Sequence, residues 1–368
     1  MKVDIITMHC PLNYGAVLQT YALQSYIEYL GHSAEIIDYR PSYLVRTQKL
    51  FYIGNKHAKS NLLFATAYIM LKLPQRIKIR RNFNKFIKRH LNLSNIRYNT
   101  CEELVSNPVR ADVYICGSDQ IWNTALPNGS DDAYFLSFVQ KGLKNAYAAS
   151  LAISTALDSK NKERFKRLLS DFSAISVRED TAIPILSFLE KNIVHVLDPV
   201  FLLSKEEWIT RFNLKETTSD SYILVYPMGD GKNVLYQARQ LAKDTNLPIF
   251  SISQSKKRES FVTKTFSNIG PVKFVELVLN AKYVVTNSFH GTAFSIIFKK
   301  NFWACNIANT SSRIESLLRC TGLTNRLIGD GNSTIDLLTA PDYATLDEKQ
   351  QDLIHFSKHF LENIFKQS

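Results

Sequence analysis

Between Arg40 and Cys101 the chain has no aspartate or glutamate, although lysine and arginine occur there fourteen times. Outside that interval 31 basic residues face 33 acidic ones, so the net charge of +12 belongs to one segment. Cysteine is scarce too. Cys10, Cys101, Cys116, Cys305 and Cys320 are scattered with no CxxC pair, which argues against a zinc site or a disulfide framework and fits a reducing compartment. No apolar run approaches the roughly 18 residues of a membrane span. Met1-Lys2-Val3-Asp4-Ile5-Ile6 lacks the apolar core of a signal peptide, so a cytoplasmic location is expected. GxGxxG, a Walker lysine loop and a Gly-x-Ser-x-Gly elbow are all missing. The histidines show no metal-ligand spacing, and no metal is expected.

What remains is a chain of 368 residues, 45% hydrophobic, long enough for two domains. Strand-like and helix-like runs alternate, which implies βα units and mainly parallel sheets. The expected strands are Val3–Met8, Ala34–Asp38, Asp112–Cys116, Asn145–Ala149, Ala174–Val177 and Val194–Leu197, then Tyr222–Tyr226, Pro248–Ile252, Tyr283–Thr286 and Phe302–Asn306. Helices are expected at Ala16–Leu30, Lys160–Asp171, after Ser204, at Asn233–Asp244, Val272–Asn280, Thr292–Phe298 and Leu346–Phe365. The fold class is therefore α/β, with two Rossmann-like domains facing across a cleft. The first spans 1–203 and carries a basic helical insertion at about 41–101. A linker covers 204–221, the second domain covers 222–340, and a terminal helix at 341–368 could cross back over the first domain.

Three readings compete for the basic segment. In it Ile77, Ile79, Phe83, Phe86, Ile87 and Leu91 interleave with Arg76, Lys78, Arg80, Arg81, Lys85, Lys88 and Arg89. It could be a solvated helical insertion, an attachment to an anionic membrane surface, or a nucleic-acid-binding element, though no known nucleic-acid module is recognisable.

The densest chemical signal is Val284-Val285-Thr286-Asn287-Ser288-Phe289-His290-Gly291-Thr292. An apolar β-branched run stops at polar residues and a histidine, then resumes as an apolar helix. Ligands in open α/β sheets sit beyond the carboxyl ends of strands, a helix N-terminus attracts anions, and a histidine there can exchange a proton near neutral pH. Similar polar breaks follow other expected strands, at Cys10–Gly15, Gly117–Asn123 and Ser176–Asp180. Together they imply anionic substrate handling by a histidine and a few arginines, whose planar forks grip carboxylate or phosphate.

Asn13-Tyr14-Gly15-Ala16-x-Leu18-Gln19-x-Tyr21-Ala22-Leu23, Gly117-Ser118-Asp119-Gln120-x-Trp122-Asn123, Val177-Arg178-Glu179-Asp180, Asp198-Pro199-Val200 and Ser288-Phe289-His290-Gly291 occur in this order. The set resembles the polysaccharide pyruvyl transferase family over about Val3 to Leu323. The resemblance implies a GT-B-like fold and transfer of pyruvate from phosphoenolpyruvate to two sugar hydroxyls, giving a cyclic ketal and phosphate, in capsule or exopolysaccharide assembly. It implies no cofactor beyond phosphoenolpyruvate as co-substrate. His290 resembles the family's acid/base histidine, with Asp119 as a second catalytic candidate. Arg178 and Arg313 would hold the donor with Asn287, Ser288, Gly291 and Thr292, while Asn13, Gln120 and Trp122 would face the acceptor. Arg178 could instead pair with Glu179 or Asp180, Trp122 could be core, and Gln19 is expected to be structural. Some branches of the family carry arginine where this chain has Ser288, so Arg313, Lys299 or Lys300 would have to replace it. The acceptor could be linked to polyprenyl diphosphate, with segment 41–101 against the inner face of the membrane and no nucleic-acid partner. The rival readings are a GT-B glycosyltransferase using a nucleotide sugar and a non-enzymatic, membrane-associated assembly subunit.

Overall fold

The computed structural model describes residues 1–53, 62–217, 221–229, 231–253, 259–305, 312–329 and 337–366. Two parallel sheets organise them. The first contains β1 (Lys2–Ile6), β2 (Ser33–Tyr39), β3 (Leu93–Tyr98), β4 (Val113–Cys116), β5 (Leu143–Ala149), β6 (Phe172–Val177) and β7 (Ile193–His195), in the order β3-β2-β1-β4-β5-β6-β7. The second contains β8 (Ile223–Tyr226), β9 (Ile249–Ile252), β10 (Lys264–Phe266), β11 (Tyr283–Thr286), β12 (Asn301–Cys305) and β13 (Leu327–Ile328), in the order β10-β9-β8-β11-β12-β13. In each sheet the strand order reverses at one central pair, β1/β4 and β8/β11. That is where a crevice opens beyond the strand ends. In register, Ile5 lies opposite Ile36 and Ile115, and Val285 opposite Val225 and Trp303. Such strands are apolar on both faces because helices cover both.

The principal helices are α1 (Tyr14–Tyr29), α2 (Leu62–His90), α3 (Ser159–Leu169), α4 (Lys205–Phe212), α5 (Lys232–Thr245), α6 (Pro271–Asn280), α7 (Phe289–Ile297), α8 (Ser312–Cys320) and α9 (Tyr343–Lys366). Several begin where the sequence supplies a cap. Asn13 accepts the Ala16 amide, Asp158 the Asn161 amide, and Ser204 forms a reciprocal capping box with Glu207. α7 starts three residues before its expected start because Ser288, rather than Gly291 or Thr292, is its N-cap.

Strands β3, β10 and β13 were not expected. β3 reads Leu-Ser-Asn-Ile-Arg-Tyr at the sheet edge and is exposed over half its length, while β10 and β13 have only three and two residues. The basic segment is therefore not wholly an insertion, since β3 completes the first sheet. α4 (Lys205–Phe212, 8 residues) takes up the first part of the expected linker, whose positions 218–220 fall outside the described residues, as does Asn306.

One apolar cluster joins the two sheets. Tyr14, Val17 and Tyr21 of α1, Ile79, Phe83, Phe86 and Ile87 of α2, Trp208 and Phe212 of α4, Phe274 of α6 and Phe294 of α7 all belong to it. Tyr14 stacks on Phe274 with centroids 4.8 Å apart and planes 6° from parallel. At the other end of the chain, Leu361, Ile364 and Phe365 of α9 share a core with Val3, Ile5 and Val113 of the first sheet.

Asp4 is fully buried in the central strand β1, with Lys2 as its ion-pair partner at 3.4 Å. Burial pushes its carboxyl up to about 6, against the pull of Lys2. A folded-state value above the unfolded one means stability falls as pH rises from about 4 to about 6. Asp4→Asn is therefore expected to raise stability by roughly 2–3 kcal/mol above pH ~6 and to make little difference near pH ~4. Thermal melts of both proteins across this range check it; equal differences at both ends would contradict it.

Candidate active site

The loops after β1, β4, β6, β7 and β11 converge between the sheets around one buried carboxylate. Asp198, 1% exposed, caps the short turn Pro199–Leu202 by accepting the Val200 amide on Oδ1 at 3.1 Å. Its Oδ2 accepts from Ser118 Oγ at 3.0 Å and from Arg178 Nη1 at 2.9 Å. His290 Nε2 lies 3.6 Å from the same oxygen. Burial alone would raise the Asp198 pKa, but the nearby His290 and the charge and hydrogen bond of Arg178 outweigh it and hold the group well below the usual carboxylate range.

Arg178 is itself buried. Burial opposes its charge, yet Asp198, Asp119 and Glu179 together raise its pKa. Its guanidinium lies over the Phe289 ring at 4.4 Å and has Nη2 3.8 Å from Asp119 Oδ1. It pairs with neither of its sequence neighbours. Glu179 turns away to accept from Ser150 Oγ and the Ala152 amide. Asp180 takes a fork of two hydrogen bonds from Arg319, at 3.0 and 2.7 Å, and one from Ser316 Oγ at 2.8 Å. That contact fastens the first sheet's loop to α8, the helix bearing Arg313.

Four donor or ring nitrogens in this region have no hydrogen-bond partner among the described residues although they are buried: Arg178 Nε, Arg178 Nη2, His290 Nε2 and Arg313 Nε. Arg313 stands near enough to Arg178 that burial and this second cation lower its pKa. Buried polar atoms are normally satisfied, so this grouping of cations and a histidine is suited to an anion with several acceptor oxygens.

His290 is the second residue of α7 and 7% exposed. Its ring rests on the backbone of Gly15 at the start of α1, so closely that a Cβ on Gly15 would fall 1.9 Å from Nδ1. Glycine is required here because of approach rather than backbone angle. Asp119, by contrast, holds a left-handed conformation (φ 74°), which aspartate tolerates better than most residues, and accepts the Gln120 amide.

Several expected site residues serve other ends. Trp122 is fully enclosed, donates to the Tyr134 carbonyl at 3.1 Å and stacks on Phe135 at 5.5 Å, so it cannot face an acceptor. Asn287 is tied by both ends of its amide to Met228, at 2.6 and 2.9 Å. Ser288 accepts the Gly291 amide, and the Thr292 hydroxyl donates back to the Ser288 carbonyl. These four residues build the turn that presents His290; their polar groups are spent on it. Asn13 caps α1, Gln120 accepts from Asn123, and Gln19 braces Thr7. Lys299 and Lys300 lie beyond the far end of α7, between two and three turns from His290, with Lys299 paired to Asp347. Arg313 is the basic residue at the site. Asp198, Ser118 and Gly15 lie within the family-like motifs, yet residue type alone gave them no role. A carboxylate directly after the expected strand Val194–Leu197 and before a proline is the available signal. Among the described residues, no three His, Cys, Asp or Glu side chains are grouped as metal ligands.

The family profile described as polysaccharide pyruvyl transferase matches residues 13–309, and the chain belongs to that family and is a transferase. No curated protein sequence matches it. Among solved structures, the UDP-GlcNAc 2-epimerase of Methanocaldococcus jannaschii in complex with UDP-GlcNAc and UDP is similar over 100% of both chains, with 14% identity and a TM-score of 0.50. The Escherichia coli heptosyltransferase WaaC with ADP is similar over 95% of this chain and 100% of its own, with 12% identity and a TM-score of 0.44. At such identities the likeness concerns the fold, which is of GT-B type.

Gly15→Ala is expected to push the His290 ring from its seat, lowering stability by about 1–3 kcal/mol through overpacking. Denaturant melts, together with the NMR shifts of the His290 ring, measure this; an unmoved ring and an unchanged midpoint would contradict the close approach.

Proposed function

We propose that this member of the polysaccharide pyruvyl transferase family transfers pyruvate from phosphoenolpyruvate to two hydroxyls of one sugar residue, releasing phosphate. The observation that carries the reading is the set of buried nitrogens on Arg178, Arg313 and His290 that make no hydrogen bond among the described residues. Phosphoenolpyruvate brings a carboxylate and a phosphate on one small carbon frame, and two guanidinium groups beside a histidine match that pattern.

In the proposed reaction His290 gives a proton to the methylene carbon of the donor, making a methyl group and leaving a cation at the adjacent carbon. One sugar hydroxyl adds there and loses its proton to the base left behind. The carbon–oxygen bond to phosphate then breaks, and Arg178 and Arg313 offset the charge of the departing group. The second hydroxyl closes the ring, and its proton leaves with phosphate. Asp198 orients His290, and Asp119, on the same rim, is the candidate to relay the second hydroxyl's proton to the departing phosphate. The acceptor is a capsule or exopolysaccharide precursor sugar, carried on a polyprenyl diphosphate. Beyond phosphoenolpyruvate as co-substrate, the scheme calls for no cofactor.

The test is to incubate the protein with phosphoenolpyruvate and a panel of galactoside, mannoside and lipid-linked acceptors in deuterated water. Phosphate release should accompany a carboxyethylidene mass gain with one deuterium in the new methyl group. His290→Ala should lower the rate by about 10²–10⁴-fold. Sugar transfer from a nucleotide sugar, with no use of phosphoenolpyruvate, would replace this reading with glycosyl transfer.

A further inference from the structure

The outer face of α2 is divided in two along its length. Its inner face is set by Ile79, Phe83, Phe86 and Ile87, spaced for one side of a helix and buried in the inter-sheet cluster. The exposed positions are 66, 67, 70, 71, 74, 77, 78, 81, 84, 85, 88 and 89, a continuous stripe at helical spacing. Its first half is apolar: Met70 is 67% exposed, Leu71 62% and Ile77 46%. Its second half carries Lys78, Arg81, Lys85, Lys88 and Arg89. Pro74, which leaves the Met70 carbonyl without an i+4 amide, stands within the apolar half. Beside the stripe, Leu50 and Ile77 share a groove with Arg81, Lys85, Lys88 and Arg89, and Phe51, the residue after Leu50, is 67% exposed.

An apolar stripe continued by cations, in a segment with no acidic residue from Arg40 to Cys101, fits an interface with two requirements: something apolar to enter and negative charge at its rim. We infer that this face of α2 docks on an anionic phospholipid bilayer, with Met70, Leu71 and Ile77 in the interfacial layer and the basic half against the headgroups. Charge complementarity alone would suit a nucleic acid, but a polyphosphate leaves the bare Met70–Leu71 patch unexplained. No helix among the described residues is long and apolar enough to cross a membrane, so contact is peripheral.

The docked face lies close to the candidate active site. On the inner side of α2, Phe83 is 5.3 Å, centroid to centroid, from Tyr14, and the next residue, Gly15, seats the His290 ring. The bilayer surface would thus stand about one helix width and one aromatic layer from His290. The inference rests on the helix surface and does not depend on pyruvyl transfer.

The experiment is flotation of the full chain with vesicles of phosphatidylcholine, with and without phosphatidylglycerol. The wild-type protein should float with the anionic vesicles, stay behind with the neutral ones, and be released near 1 M salt, where charges are screened beyond about 3 Å. Replacing Arg81, Lys85, Lys88 and Arg89 together by glutamine should weaken partitioning on the order of a hundredfold, and Met70→Gln with Leu71→Gln should weaken it independently of salt. Indifference to lipid charge, or undiminished flotation of both variants, would overturn the inference. Binding of single-stranded RNA in place of vesicles would do so too, assigning the patch to nucleic acid. The salt and lipid arms use the unaltered protein, so the inference stays testable if a variant misfolds, and failure here leaves the phosphoenolpyruvate assay unaffected.

Discussion

A guanidinium buried between two sheets is stable only beside a carboxylate, and the candidate site is built on that constraint. Arg178 is the first residue after β6, Asp198 the third after β7 and Ser118 the second after β4, and their hydrogen bonds pin three loops of the first sheet to one point. Losing either member of such a pair strands the other charge, at a cost of about 3–5 kcal/mol. The second half of the chain is held to the same point. Phe289 lies over the guanidinium and His290 faces Asp198, while Asp180 holds α8 through Arg319 and Ser316. The position of the histidine relative to both arginines thus depends on two ion pairs, Arg178–Asp198 for the carboxylate it faces and Arg319–Asp180 for the helix that bears Arg313.

The parallel sheets could be read from the chain because their central strands are apolar runs that end at polar residues. β11 coincides with its expected limits, since Tyr283–Thr286 is buried throughout and stops where Asn287 begins the turn. β3 could not be read that way: its three middle side chains, Asn95 to Arg97, face solvent, and its pairing with β2 defines it. The site shows the same contrast. His290 and Arg178 stand out by residue type at strand ends. The part played by Asp198 depends on contacts with Ser118, 80 positions away, and with Arg178, 20 positions away, which no local pattern encodes. Trp122 misled for the converse reason: an indole suggests sugar stacking until Phe135, Phe165 and Phe172 close around it. Within the Asn287–Thr292 motif, the residues that shape the turn outnumber the one it presents.

The GT-B-type arrangement leaves the chemistry to a few loops. The central strands of each sheet end at the cleft, so small changes in the loops beyond them alter the ligand without altering the fold. Here the first half contributes the carboxylates and Arg178, and the second contributes His290 and Arg313. α2 lies across the junction of the two, with Phe83 on its inner face against Tyr14, which in turn stacks on Phe274. A helix that completes the core beside the cleft is also the one whose outer face is apolar and basic, which links the membrane inference to the site by packing.

The claim that Arg178, Arg313 and His290 form a phosphoenolpyruvate site is tested most directly by calorimetric titration of phosphoenolpyruvate into the purified protein. We expect one site per chain, lost in Arg313→Gln and weakened in Arg178→Lys, where the charge survives but the bidentate fork does not. Absence of binding by the intact protein, or binding that neither substitution alters, would contradict the assignment.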